Sequence, residues 1–167
     1  SMAILWDVSL SSVDRDLQKE LDLLNEYFKK QPNLTVQLLA FNNYSRKLKE
    51  YRIEKGNWET LKKDILGFTY DGGTNYSKII FPPCDEYLLF TDGLQGLSNS
   101  EINTPSKRVY TISSSPKSDF SYLKWIAQKT GASFVNLNST IPTEAIKLIN
   151  EQSLQIIGYK KTESVEE

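Results

Sequence analysis

The chain has 167 residues, a formal net charge of -1, one cysteine and no histidine. That length fits one domain with a core of its own, and a near-neutral balance without a long basic run argues against nucleic acid or an anionic membrane as partner. Without histidine, Ser-His-Asp and Cys-His catalysis cannot be assembled; with one cysteine, neither can a disulfide framework or a multi-thiolate zinc site.

In chain order, Ala3-Ile4-Leu5-Trp6 is a short apolar run ended by Asp7, as expected of a strand buried on both faces. The strand starts almost at once, so the chain is expected to be a segment of a longer parent protein, which would set its compartment, extracytoplasmic or membrane-associated. Val13, Leu17, Leu21, Leu24 and Phe28 form one helical stripe. Ser11-x-x-Asp14 resembles a capping box opening that helix, and Pro32 lies past its end. Residues 34–41 read as a second apolar strand and Asn42-Asn43 as a turn. Residues 47–53 read as a charged strand, antiparallel and at an edge because the turn is short and lysines protect edges. Asn57 is expected to cap a helix carrying Trp58, Leu61 and Ile65, stopped by Gly67.

Asp71-Gly72-Gly73-Thr74 is a loop. Cys84, among Pro82, Pro83, Asp85 and Glu86, is expected to be a small buried hydrophobe, since its acidic neighbours would not activate a thiolate. Residues 87–91 read as a strand ending at Asp92-Gly93, residues 94–107 as a surface loop and 108–112 as a strand. Phe120, Leu123, Trp125, Ile126 and Ala127 mark a helix stopped near Gly131; 133–137 is a strand, and Pro142 opens a helix holding Ala145, Ile146, Leu148 and Ile149. Trp6, Trp58 and Trp125 are expected in the core. Residues 154–159 read as a further strand before a polar tail. No apolar run approaches the ~20 residues that span a bilayer. Strands alternate with helices, which predicts a doubly wound, Rossmann-like α/β sheet, mostly parallel, with one antiparallel edge strand and helices on both faces.

Open α/β sheets bind ligands outside the carboxyl ends of their strands, and there the sequence places Asp7-x-Ser9-x-Ser11 and Asp92, with Thr74 in a glycine-bearing loop able to reach the same edge. Two carboxylates and three hydroxyls suit a hard cation. Magnesium prefers six oxygens at about 2.0–2.1 Å and keeps several waters; manganese or calcium are the other options. Alternate spacing helps, because an extended segment entering a turn can aim Asp7, Ser9 and Ser11 at one point.

Asp7-x-Ser9-x-Ser11, Thr74 in Gly-Gly-Thr and Asp92 in Thr-Asp-Gly together resemble the metal-ion-dependent adhesion site of von Willebrand factor A domains. Trp6-Asp7-Val8-Ser9-Leu10-Ser11, Tyr70-Asp71-Gly72-Gly73-Thr74-Asn75, Leu88-Leu89-Phe90-Thr91-Asp92-Gly93-Leu94 and Lys129-Thr130-Gly131-Ala132 resemble the A domains of bacterial proteins that also carry an inter-alpha-trypsin inhibitor (VIT) domain. The resemblance implies an A-type domain over 1–152, with 153–167 a strand and tail leading into the parent. It implies that the two serines and the threonine contact the metal, while the aspartates bind directly or through water. It further implies a protein partner that supplies Asp or Glu to the metal, with Leu10, Gly73, Asn75, Gly93 and Leu94 as the rim, and no catalysis. The alternative is a hydrolase of the haloacid dehalogenase-like phosphatase type, which also places an aspartate after its first strand. It would need an acid where Ser9 stands, and a later lysine that no motif assigns.

Overall fold

A computed structural model describes residues 1–45, 48–95 and 101–149, and the structural statements below concern those residues. Six strands form one sheet: β1 Met2–Asp7, β2 Leu34–Phe41, β3 Lys49–Ile53, β4 Glu86–Phe90, β5 Arg108–Ser113 and β6 Phe134–Asn136, in the order β3-β2-β1-β4-β5-β6. Three helices are α1 Leu17–Lys30, α2 Glu59–Leu66 and α3 Phe120–Lys129. A fourth, α4, occupies residues 142–149. Two 3-10 turns, Leu10–Asp14 and Tyr76–Lys78, sit at the carboxyl edge of the sheet's central strands.

β1 is central and parallel to both neighbours, with Leu5 opposite Leu39 on β2 and Leu89 on β4. β3 alone is antiparallel, with Leu34 opposite Ile53. It is an edge strand whose Tyr51 and Ile53 turn inward while Lys49, Glu50 and Arg52 face solvent, the alternation that protects an edge. The expected doubly wound sheet with one antiparallel edge strand is therefore what this chain forms.

Side chains of β1 alternate between two cores, as the period of a strand requires. Ile4 and Trp6 pack with Leu24 and Phe28 of α1, Trp58 just before α2, Leu61 of α2, and Ala145 and Ile149 of α4. Ala3 and Leu5 pack on the opposite face with Tyr76, Ile79, Cys84 and Ile126 of α3. Gly67 ends α2, as read from the sequence, but the N-cap is Trp58 rather than Asn57, whose side chain accepts the Glu59 N–H at 3.2 Å just ahead of the helix.

Two further expectations need correction. The first concerns the start of α1, which is Leu17, with the Asp16 carboxylate accepting the Lys19 N–H at 3.3 Å. Ser11 and Asp14 belong to the preceding 3-10 turn and form no capping box, and Val13 is 57% exposed. The cause is Arg15, whose extended backbone (φ -72°, ψ 146°) breaks the helical path while its side chain enters the core. The second concerns Trp125, which is 44% exposed rather than core. It stacks on Tyr122, with ring centroids 5.9 Å apart, and lies under the Lys129 ammonium. The strand read at 154–159, the tail and part of the 94–107 loop lie outside the described residues.

These environments separate the tryptophans energetically. Trp6→Ala, at a fully buried site, should cost about 3–5 kcal/mol in urea unfolding. Trp125→Ala should cost about 1 kcal/mol, since it forfeits only part of a stacking contact. Equal losses would contradict the packing described.

Candidate metal centre

The chain leaves β1 toward β2 on one side, and β4 lies on the other, so the crevice between β1 and β4 is the switch point of the sheet. Asp7 is the last residue of β1, and Asp92 lies two residues past β4; both are 0% exposed. One oxygen of Asp7 accepts the Ser9 N–H at 2.8 Å and the other accepts the Thr91 hydroxyl at 2.6 Å. Thr91 in turn accepts from the Tyr76 hydroxyl at 2.9 Å and the Gly93 N–H at 3.3 Å. The Asp7 carboxylate is thus oriented from both strand ends. The following 3-10 turn folds the chain back, so that Ser9 Oγ lies 3.3 Å from both Ser11 Oγ and Ser12 Oγ.

Asp92 Oδ1 accepts the Leu94 N–H at 2.9 Å, but its Oδ2 is buried with no hydrogen-bond partner. Thr74 Oγ1 is buried and unpartnered as well. The loop bearing Thr74 is tied to the segment at residues 8–10 by two backbone bonds of 2.9 Å, Asp71 N–H to Val8 C=O and Leu10 N–H to Gly72 C=O. Gly93 allows the departure from β4. Its φ is +74°, and a Cβ there would lie 2.9 Å from Leu123 Cγ and 3.1 Å from the Asp119 carbonyl.

Buried polar atoms without partners cost about 1–3 kcal/mol each, and these two belong to residues whose oxygens suit a hard cation. Among the described residues no three carboxylate, thiol or imidazole groups converge. A cation here would depend on two carboxylates and the hydroxyls of Ser9, Ser11 and Thr74.

The buried charges around the site are predominantly negative. Asp7, Arg15, Glu20 and Asp92 are the buried charged side chains among the described residues, a formal balance of -2. Arg15 is inserted beneath the site. One guanidinium nitrogen donates to the Phe90 carbonyl, the group lies over the Trp6 ring, and Nε is 3.3 Å from a Glu20 oxygen. Burial alone would lower the Arg15 pKa, but Glu20, Asp7 and Asp92 outweigh it and hold the guanidinium charged. Burial pushes Glu20 up, against Arg15 and against the Ser114 hydroxyl, which donates to it at 2.7 Å. Burial, then the charge of Asp7, raises Asp92, while Ser11 and the Leu94 N–H work the other way. Burial and Asp7 also raise the Tyr76 phenol, which stays neutral.

Of the rim residues, Leu10 is 62% exposed and Leu94 36%. Gly73 is half-buried and Gly93 buried. Asn75 caps the Tyr76–Lys78 turn by accepting the Ser77 N–H. Sequence reasoning missed Thr91, Tyr76, Arg15 and Glu20. Thr91 carried a signal, since it stands beside Asp92 at a strand end; Arg15 and Glu20 looked like ordinary members of a solvated helix.

No family model and no curated protein matches the sequence. Solved structures do resemble the fold. BatB from Bacteroides thetaiotaomicron, 13% identical, superposes with a TM-score of 0.65 over 94% of this chain and 98% of its own. An aerotolerance-related membrane protein from Bacteroides fragilis, carrying multiple mutations to serine, gives 0.63 at 12% identity over 90% and 96%. The SpRpn10 VWA domain gives 0.50 at 8% identity over 87% and 93%. At such identities the likeness is one of fold.

Two outcomes follow from the raised Asp92. Its folded-state pKa exceeds the ordinary 3.8, so charged Asp92 costs stability above that folded value, and the cost is relieved as pH falls through it. Asp92→Asn should therefore raise the melting temperature in EDTA at neutral pH, by about 2–4 °C per kcal/mol relieved; an unchanged or lower value would contradict the electrostatics. Protons also compete with a cation for this carboxylate. Magnesium affinity should fall as acidification approaches the raised Asp92 pKa, as calorimetric titrations over a descending series of pH values would read.

Proposed function

We propose, from the premise that this chain folds as a von Willebrand A-type domain, that it is a protein-binding module that works through a bound divalent cation. The observation that carries the reading is the pair of unpartnered buried oxygens, Thr74 Oγ1 and Asp92 Oδ2, in a site whose buried charges sum to -2.

Magnesium is the ion proposed, with manganese or calcium as substitutes. Ser9, Ser11 and Thr74 would offer hydroxyl oxygens and Asp92 its unpartnered oxygen. Asp7, whose two oxygens already accept hydrogen bonds from Ser9 and Thr91, is suited to act through water. When bound, the cation would supply an electrophilic position that takes a carboxylate oxygen from the partner. The chain's own part is to hold its oxygens in place, keep Tyr76 and Thr91 as neutral donors behind Asp7, and frame the site with the exposed Leu10 and Leu94. The partner would be a protein presenting Asp or Glu. The parent chain is proposed, on the sequence resemblance alone, to be a bacterial VIT-containing protein.

Binding rather than catalysis is inferred because no histidine is available as a base near neutral pH. In addition, Ser9 stands where a haloacid dehalogenase-type phosphatase would carry its second acid.

A cation that binds only the folded state adds about 2.7 kcal/mol at a hundredfold excess over Kd, or roughly 5–10 °C of melting temperature at this size. Magnesium should produce that rise in the wild-type chain, a smaller one in Thr74→Ala and none in Asp7→Ala. Identical melts in EDTA and in excess magnesium would end the metal reading. A screen against phosphoester and ester substrates should give no turnover; turnover that disappears in Asp7→Ala would replace the module with an enzyme.

A further inference from the structure

We infer that Asn43, with Asn42 beside it, is a positioning residue for the cation, acting through the loop that carries Thr74; the inference rests on the metal reading above. Thr74 Oγ1 is buried and has no hydrogen-bond partner, so no bond of its own fixes its direction. Its position must be set by its backbone, and Asn42 and Asn43 bond to that backbone on both sides of it. With its amide nitrogen toward the Gly73 carbonyl and its oxygen toward the Gly73 N–H, Asn43 makes both bonds at 3.3 Å. It thereby brackets the residue just before Thr74. The Asn42 side chain donates to the Asp71 carbonyl and carboxylate at 2.9 Å each, and the Asn42 backbone carbonyl accepts the Asn75 N–H at 3.1 Å. The loop lies directly on the two amides, since a Cβ on Gly72 would come within 3.3 Å of the end of the Asn43 side-chain amide and 3.7 Å of Asn42 Nδ2.

An asparagine pair is apt here. Each amide offers donor and acceptor on a short arm, so it can pair with a peptide group as a neighbouring strand would. Asn42 is buried and also accepts the Tyr44 N–H, so it shapes the turn out of β2 as well. Asn43 is exposed, and its removal leaves the core untouched. Groups that orient metal ligands without touching the metal commonly change affinity about 10- to 100-fold when removed.

The test is a double-mutant cycle on the whole chain, with wild type, Asn43→Ala, Thr74→Ala and the double variant titrated with magnesium by calorimetry. Melts in EDTA and metal-free amide exchange at Gly73 and Thr74 accompany the titrations. Asn43→Ala should weaken magnesium about 10-fold, speed exchange at Gly73 and Thr74, and leave the metal-free melt within about 2 °C. In the Thr74→Ala background it should have no further effect. Wild-type affinity in Asn43→Ala would overturn the inference, even if stability fell. So would a loss that adds in full on top of Thr74→Ala, because Asn43 would then not act through Thr74. If the wild-type chain itself takes up no magnesium, the metal reading fails. The exchange data alone then decide whether Asn43 holds the loop: protection at Gly73 and Thr74 unchanged by Asn43→Ala would remove that role too.

Discussion

Asp7 and Asp92 are carboxylates with no exposed surface, set at the ends of adjacent parallel strands, and among the described residues no buried charge neutralises both. Taking an ion out of water costs several kcal/mol unless it is paired and hydrogen-bonded. Asp7 has its hydrogen bonds, from Ser9 and Thr91. Asp92 has one oxygen bonded and one bare. Arg15, the one buried cation among the described residues, is shared with Glu20. The rest of the local architecture is arranged around this imbalance, and a divalent cation is the group that would close it.

Arg15 links that electrostatic problem to the fold. By turning inward it ends the first 3-10 turn and delays α1 to Leu17, so Ser9 and Ser11 stay on a tight turn facing the site instead of entering a helix. Its guanidinium holds the Phe90 carbonyl at the end of β4, and Glu20 carries the connection to Ser114, just past β5. Buried ion pairs of this kind add little net stability compared with apolar packing. What this pair does is fix the ends of β1, β4 and β5 relative to one another where the site is built.

Much of this could be read from the chain itself. β1 and β4 are each a largely apolar run that stops at polar residues, Asp7 for β1 and Thr91-Asp92 for β4. Placing strand ends thus also put Asp7 and Thr91-Asp92 at one edge of the sheet, where Thr91 donates to Asp7, and the charged β3 identified itself as the antiparallel edge. What stayed hidden depends on side chains whose partners are remote in sequence. Arg15 looks solvated until Phe90 and Trp6 are brought against it. Asn42-Asn43 looks like any turn until the loop at residues 71–75 is laid on it. Trp125 fits an apolar pattern, yet it is 44% exposed, with Tyr122 stacked on it and the Lys129 ammonium over its ring. Periodicity tells which residues share a face; it does not tell how far the next layer extends over it.

The central claim is that one divalent cation sits at the switch point, held by residues from three separate segments of the chain. Crystals grown with manganese and measured for anomalous scattering test this most directly. The account predicts one strong anomalous peak bounded by Ser9, Ser11, Thr74 and Asp92, with Asp7 in direct contact or one water away, and no such peak in Asp7→Ala crystals. A manganese-loaded crystal with no peak in that crevice, or with its strongest peak elsewhere on the surface, would contradict it.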